Sequence, residues 1–293
     1  MKTAFATYKL KIESPFDIII HKVNKIVLGK DKADGMKWLK HSSRLRRKYF
    51  IDGLWDFNGI KLPDYTPEPI GWLIYTIYMD SLFVFCNHKD NYDSSLIDKL
   101  DKYLPEGTYG YRNNDFDVRV KENDIVIDAG AWIGDFSAYA SFKGANVYAF
   151  EPSKETFGYL EKTKELNKNI LIVEKGLGDK SGVFSMSRNS ANSGANQITE
   201  ESDMSEKIEV TTIDEFVAEN NLNRIDFIKS DIEGFERNML VGAKETLKRF
   251  GPKLAICTYH LPDDPEVLAK IILDANPNYI IIQKRKKLYA MVK

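Results

Sequence analysis

Lys229, Asp231 and Glu233 alternate along the segment Ile225-Asp-Phe-Ile-Lys229-Ser-Asp231-Ile-Glu233-Gly234-Phe-Glu236, and His260 is the one histidine of the chain beyond residue 108. Alternate residues of a strand share a face, so a strand continuing to Glu233 would point all three groups the same way at its C-terminal end. Ligands of open α/β sheets bind at that edge. His260 follows the run Lys253 to Tyr259, read as the neighbouring strand, and should arrive beside Asp231 and Glu233. Carboxylates next to an imidazole suit proton transfer near neutral pH. The structural alternatives are a Lys229–Asp salt bridge, a carboxylate cap on the helix starting near Glu236, and a histidine capping the next helix. Asp231, Glu233 and His260 also make an O,O,N set able to hold Mg2+ or Mn2+, but nothing in the spacing demands an ion and none is predicted.

A second constellation is Asp128-Ala129-Gly130-Ala131-Trp132-Ile133-Gly134, which follows an apolar run and opens a helix. Gly130 permits a tight turn and Gly134 close packing, the context in which a ligand approaches the backbone. The next strand ends in Phe150-Glu151-Pro152, placing a carboxylate 23 residues after Asp128, where ribose hydroxyls are held. Gly176 and Leu177, beyond the third strand, are expected near an adenine. The loop lacks the second glycine of a dinucleotide fingerprint, and Asp128 would repel a pyrophosphate. A carboxylate suits a ligand carrying an ammonium and a sulfonium, as S-adenosylmethionine does.

Strand and helix patterns alternate from Ile125 onward, with Gly134 to Phe142, Lys154 to Leu166, Asp214 to Glu219, Glu236 to Arg249 and Pro265 to Ala275 as helices. Such alternation predicts an α/β, doubly wound, mostly parallel seven-stranded sheet. Tyr279 to Gln283 and Leu288 to Val292 are joined so tightly that they must form a C-terminal antiparallel hairpin. Ser181 to Val210 is a Ser-, Asn- and Gly-rich interruption whose ends, Val183 to Met186 and Lys207 to Val210, read as a strand pair. Its middle, with Arg188, Asn189, Asn192 and Asn196, offers neutral donors and acceptors for hydroxyl groups or is a plain linker. Phe116 to Val120 alternates as a strand, and Tyr109 and Tyr111 before it either pack in the core or cover the cofactor. Helix signals at Ser14-Pro15, Thr66-Pro67 and Asp93 make residues 1–108 a mostly helical accessory or substrate region ahead of a catalytic domain at 109–293.

Ile125-Val-Ile-Asp128-Ala-Gly-Ala-Trp-Ile-Gly134-Asp-Phe-Ser137, Ala149-Phe-Glu151-Pro152 and the Lys229-x-Asp-x-Glu-Gly-x-Glu236 segment resemble the three signature blocks of FkbM-type methyltransferases. The resemblance covers roughly Tyr109 to Lys293. It implies a class I, Rossmann-like fold, S-adenosylmethionine as cofactor, and O-methylation of a hydroxyl on a sugar, a glycan precursor or a similar small molecule. Carried onto this chain, it implies cofactor contacts at Asp128, Gly130, Ala131, Gly134, Glu151, Pro152, Gly176, Leu177 and Asp231. By analogy with class I methyltransferases Asp231 faces the methionine moiety or the acceptor and Glu233 the acceptor; strand adjacency and proton chemistry, rather than the resemblance, make His260 the expected general base, with Lys229 in the catalytic set.

The charge balance bears on partners. Residues 1–50 hold thirteen Lys and Arg against four Asp and Glu, although the whole chain carries a formal net charge of -1. The basic head, Arg44, Arg46, Arg47 and Lys48 included, reads as a solvated face or a peripheral contact for substrate or an anionic surface. No apolar run reaches the ~20 residues of a membrane span, and basic residues are not interleaved with aromatics as in a nucleic-acid groove. Two cysteines and no apolar N-terminal leader pattern predict a cytoplasmic protein. A nicotinamide-dependent oxidoreductase or epimerase, and a non-catalytic glycan-assembly module, remain as alternatives; oligomeric state is open.

Overall fold

A computed structural model describes residues 47, 50–57, 59–64, 109–187, 197–199, 205–284 and 286–293. The helices expected after Ser14, Thr66 and Asp93 lie outside the described residues, as do Arg188, Asn189, Asn192 and Asn196 and all of the basic head except Arg47. What is described before residue 109 is mainly β: strands β1 (Phe50–Ile51), β2 (Leu54–Phe57) and β3 (Ile60–Pro63) form an antiparallel sheet. Trp55, Ile60 and Leu62 of this sheet are buried in the same core as Phe136 and Tyr139 of the following domain.

A short pair, β4 (Tyr111–Arg112) and β5 (Asp117–Val118), replaces the longer strand expected at Phe116 to Val120. The βα alternation then runs β6 (Ile125–Ala129), α1 (Asp135–Phe142), β7 (Asn146–Phe150), α2 (Lys154–Leu166), β8 (Ile170–Val173) and β9 (Gly176–Leu177). Next come β10 (Gly182–Ser187), β11 (Gln197–Thr199), β12 (Ser205–Thr211), α3 (Ile213–Glu219) and β13 (Phe227–Ser230). The chain closes with α4 (Glu236–Val241), α5 (Lys244–Phe250), β14 (Lys253–Cys257), α6 (Asp264–Ala275), β15 (Tyr279–Lys284) and β16 (Lys287–Val292).

The main sheet has seven strands in the order β15-β16-β14-β13-β6-β7-β8, and β16 alone runs against its neighbours. This is the expected doubly wound sheet with its closing hairpin. Successive strand residues point to opposite faces, and the two cores divide accordingly: Val126 and Phe227 pack with α1 and α2, whereas Ile127 and Ile228 pack with α3 to α6. The expected strand pair flanking the interruption is β10 and β12, which pair antiparallel from Gly182 with Val210 to Ser187 with Ser205. The helix expected over Glu236 to Arg249 is two helices, because at Gly242 the chain passes so close to the Gly178 carbonyl that no Cβ fits.

Two topological facts position the site. β6 and β13 are parallel neighbours, so the loops after Ala129 and after Ser230 emerge side by side. β13 and β14 are likewise parallel, which brings the segment after Cys257 to the same edge.

Candidate active site

Beyond β6 the chain turns through Gly130 (φ 73°), Trp132 (φ 52°) and Gly134 (φ 87°). The Gly130 and Ala131 N–H groups both donate to the Phe150 carbonyl, at 3.1 and 2.8 Å, so the loop is stitched to the end of β7. A Cβ on Gly130 would overlap the Asp231 carbonyl oxygen, and one on Gly134 would come within 2.8 Å of Leu160 and Thr163 on α2. Both glycines are therefore required by close approach as well as by φ. The contact at Gly130 is with backbone, so this loop and the turn after β13 form one surface.

Glu151 lies at the end of β7 beside that loop. Its Oε2 accepts from Trp132 N and its Oε1 from Ser153 N, each at 2.9 Å. Burial pushes its carboxyl up to about 7 despite those N–H donors. Each oxygen keeps a lone pair for a further donor. A carboxylate fixed by two backbone N–H groups at the C-terminal edge of the sheet, beside the glycine loop, fits a ribose diol, and so these residues fit an adenosyl ligand. Pro152 follows, half-buried, and fixes the chain direction into α2. Gly176 and Leu177 also leave the C-terminal end of the sheet, but both are buried and pair with Val210 and Thr211. Leu177 packs in the core that holds Phe150 and Phe216, which leaves backbone rather than the Leu177 side chain for an adenine.

Asp128 and Lys229 depart from expectation. β13 ends at Ser230, so the alternation of Lys229, Asp231 and Glu233 is broken there; Lys229 stays within the strand, yet its charge still acts on Asp231. The Lys229 ammonium lies 2.9 Å from Asp128 Oδ1, and Asp128 Oδ2 accepts from Ser137 Oγ at 2.6 Å. Lys229 also donates to the carbonyls of Ala129 and Gly130, at 3.3 and 2.7 Å. Burial works against its charge, yet Asp128, Asp231 and Asp135 raise its proton affinity above that of an ordinary lysine. Asp128 is fully buried. Its carboxylate meets Lys229 and Ser137, and Lys229 in turn holds the loop backbone at Ala129 and Gly130.

Asp231, Glu233 and His260 do converge. After Ser230 the chain turns through Glu233 (φ 54°) and Gly234 (φ 104°), and the buried Glu236 carboxylate secures the turn by accepting from Ile232 N (2.9 Å) and Gly234 N (3.0 Å). His260 Nε2 lies 3.5 Å from Asp231 Oδ1 and 3.4 Å from Glu233 Oε2, while Nδ1 lies 3.0 Å from Glu236 Oε1. Tyr109 donates to Asp231 Oδ2 at 2.7 Å and Tyr259 to Oδ1 at 2.8 Å. Burial alone would raise the Asp231 carboxyl, but Lys229, the Tyr109 hydroxyl and His260 hold it low. Burial alone would lower the imidazole, but Glu233, Glu236 and Asp231 push it up to about 10. That direction runs against the general-base role expected of His260, since a base has to be free of its proton at the working pH. Arg237 steadies the histidine segment, bridging Asp263 at 2.6 Å and Asp264 at 2.9 Å, while Asp264 Oδ2 accepts from Leu261 N.

Two participants escaped sequence reasoning: Glu236 was visible only as the last residue of its motif, and Tyr259 was read as the end of a strand. Tyr109, read as a core or cofactor-covering residue, is buried in the core, and its bond to Asp231, 122 residues away, carries no local signal.

Residues 128–281, more than half the chain, match the model of the methyltransferase FkbM domain. A curated relative, the hexuronic acid methyltransferase AglP of Haloferax volcanii, is 29% identical over 157 residues, which is 53% of this chain and 64% of that protein. The chain thus spans less than two thirds of that relative's length. Among solved structures, the methyltransferase FkbM of Methylobacillus flagellatus KT is 25% identical with a TM-score of 0.46, covering 59% of this chain and 44% of that one. A SAM dependent methyltransferase from Aquifex aeolicus is 20% identical with a TM-score of 0.35, covering 69% of this chain and 100% of that one. Sequence blocks, sheet order and family match agree: the chain belongs to the FkbM methyltransferase domain family, whose cofactor is S-adenosylmethionine.

Proposed function

We propose that the protein is an O-methyltransferase that modifies a hydroxyl of a sugar or glycan precursor, an acidic sugar foremost. One observation carries this reading: Asp231, Glu233 and Glu236, on and just after a turn whose backbone touches the cofactor loop at Gly130, gather around His260 from the segment after β14. S-adenosylmethionine supplies an electrophilic methyl group on a sulfonium. The chain must hold an acceptor oxygen in line with that methyl and remove its proton as the C–O bond forms. Asp231, fixed by two tyrosine hydroxyls, orients the acceptor. Glu233, with 21% of its side chain exposed at the outer side of the cluster, is the group we assign to take the proton. His260 keeps its own proton among the carboxylates and positions them. Tyr259, 45% exposed, offers a ring face to a sugar, and Lys286 lies 5.4 Å from the centre of that ring, suitably placed for a uronate carboxylate. The resemblance to a hexuronic acid methyltransferase supports the same acceptor class.

Among the described residues no helix is long and apolar enough to cross a membrane. A cytoplasmic setting belongs to the proposal, supported by Cys257, a buried free thiol. Incubating the full chain and S-adenosylmethionine with uronic acid glycosides and their neutral counterparts tests the reading. Mass spectrometry should find one added methylene, preferentially on the uronic acid substrates. Methylation at nitrogen or carbon, or none with any hydroxyl acceptor, would contradict it.

A further inference from the structure

We propose that Lys287 is a positioning residue for methyl transfer, acting directly and through the Tyr109 ring on the Asp231 carboxylate that holds the acceptor. Side chains alternate along β16, so Lys287 shares a face with Tyr289 and Met291, which pack in the core that contains Tyr109, Cys257 and Phe136. The pattern calls for an apolar residue there. Lys287 is nevertheless only 6% exposed, whereas Lys284 and Lys286 of the same turn lie in solvent. A buried ammonium in such a place has to be met by its neighbours.

Those neighbours belong to the acceptor site. Register sets Lys287 opposite Cys257, the last residue of β14, so its side chain enters at the ligand edge of the sheet. The ammonium stands 4.5 Å from the centre of the Tyr109 ring, and the Tyr109 hydroxyl donates to Asp231 Oδ2 at 2.7 Å. A cation over a phenol face draws density from the ring and strengthens its hydroxyl as a donor. Tyr109 has a backbone φ of 49°, which a bulky residue adopts where its surroundings impose it. Lys229 lies 5.2 Å from the same ring but is held by Asp128. The other charged and titratable groups about Asp231 are Glu233 and Glu236 after β13, and Cys257, Tyr259 and His260 at the end of β14. Burial works against the Asp231 charge, and Lys229, the Tyr109 hydroxyl, His260 and Lys287 favour it.

This role rests on the acceptor-holding part assigned to Asp231 above. The full chain and its variants are assayed with S-adenosylmethionine and a panel of uronic acid glycosides. Lys287→Met should lower kcat about tenfold and leave S-adenosylhomocysteine affinity within a factor of about two. Its denaturation midpoint should stay in place or rise, because methionine suits the apolar face. Lys287→Arg, which keeps the charge, should retain most of the rate. In an Asp231→Asn background the Lys287→Met change should cost less than about twofold, because the carboxylate it serves is gone. The role is overturned by an unchanged kcat in Lys287→Met, by a rate that falls only together with the midpoint, by a stable Lys287→Arg as slow as Lys287→Met, or by effects that multiply in full in the double variant. Wild type that methylates no hydroxyl acceptor rejects the proposed function and this role with it, whereas equal turnover by wild type and Lys287→Met rejects the role of the lysine alone.

Discussion

Two buried charge clusters arise from one short motif and are built to opposite ends. Lys229 sits within the fold, its ammonium against the Asp128 carboxylate and two backbone carbonyls, with Asp231 and Asp135 also supporting its charge. Asp231, Glu233, Glu236 and His260, beginning two residues later, gather three carboxylates around one imidazole along the edge of the sheet, and the charges of Lys229 and Lys287 reach Asp231 from beside them. The divide is the end of β13 at Ser230. Within the strand a charged side chain has to be neutralised inside the fold. Beyond it, the turn through Glu233 and Gly234 re-aims the groups toward a ligand.

The comparison breaks most visibly if Lys229 is removed. Lys229→Met should strand the Asp128 carboxylate in the core and cost about 3 to 5 kcal/mol of stability, read as a fall in the denaturation midpoint; adding Asp128→Leu should recover much of it. A stable but inactive Lys229→Met would place Lys229 in the chemistry and erase the distinction. The open cluster should behave in the reverse way. Glu233→Gln should leave the denaturation midpoint in place and lower kcat by about 10²- to 10⁴-fold. At the cofactor edge, Glu151→Gln should lose charge-assisted bonds worth about 1.5 to 3 kcal/mol, weakening S-adenosylhomocysteine binding at least tenfold. The smallest effect is on pH. Because burial pushes Glu151 up to about 7 and ribose hydroxyls favour the ionised form, affinity should rise several-fold from about pH 6 to about pH 8 and then level off. Glu151→Gln should flatten that profile.

The cofactor half of the site was legible because it is built from neighbours in sequence. Glycines with positive φ, a strand end and a carboxylate one βα unit later leave a local pattern, and Gly130, Gly134 and Glu151 stand where that pattern put them. The sheet and its hairpin were legible for the same reason, since period and connection length fix them. The acceptor half was legible only as residue types. His260 met Asp231 and Glu233 as the adjacency of β13 and β14 required. What raises its proton affinity was not legible, because Glu236, hidden in a helix start, adds a buried carboxylate that spacing does not reveal. Lys229 was grouped with Asp231 and Glu233 because alternation was carried three residues beyond the strand, to Glu233, and the bond of Tyr109 to Asp231 was not legible because a partner so far along the chain leaves no period to read.

Calorimetric titration of the full chain with S-adenosylhomocysteine, and separately with NAD, tests the central claim most directly. The account predicts one site per chain for S-adenosylhomocysteine, weakened at least tenfold by Glu151→Gln, and no heat from NAD. Binding of NAD in its place, or an affinity for S-adenosylhomocysteine unchanged in the variant, would contradict it.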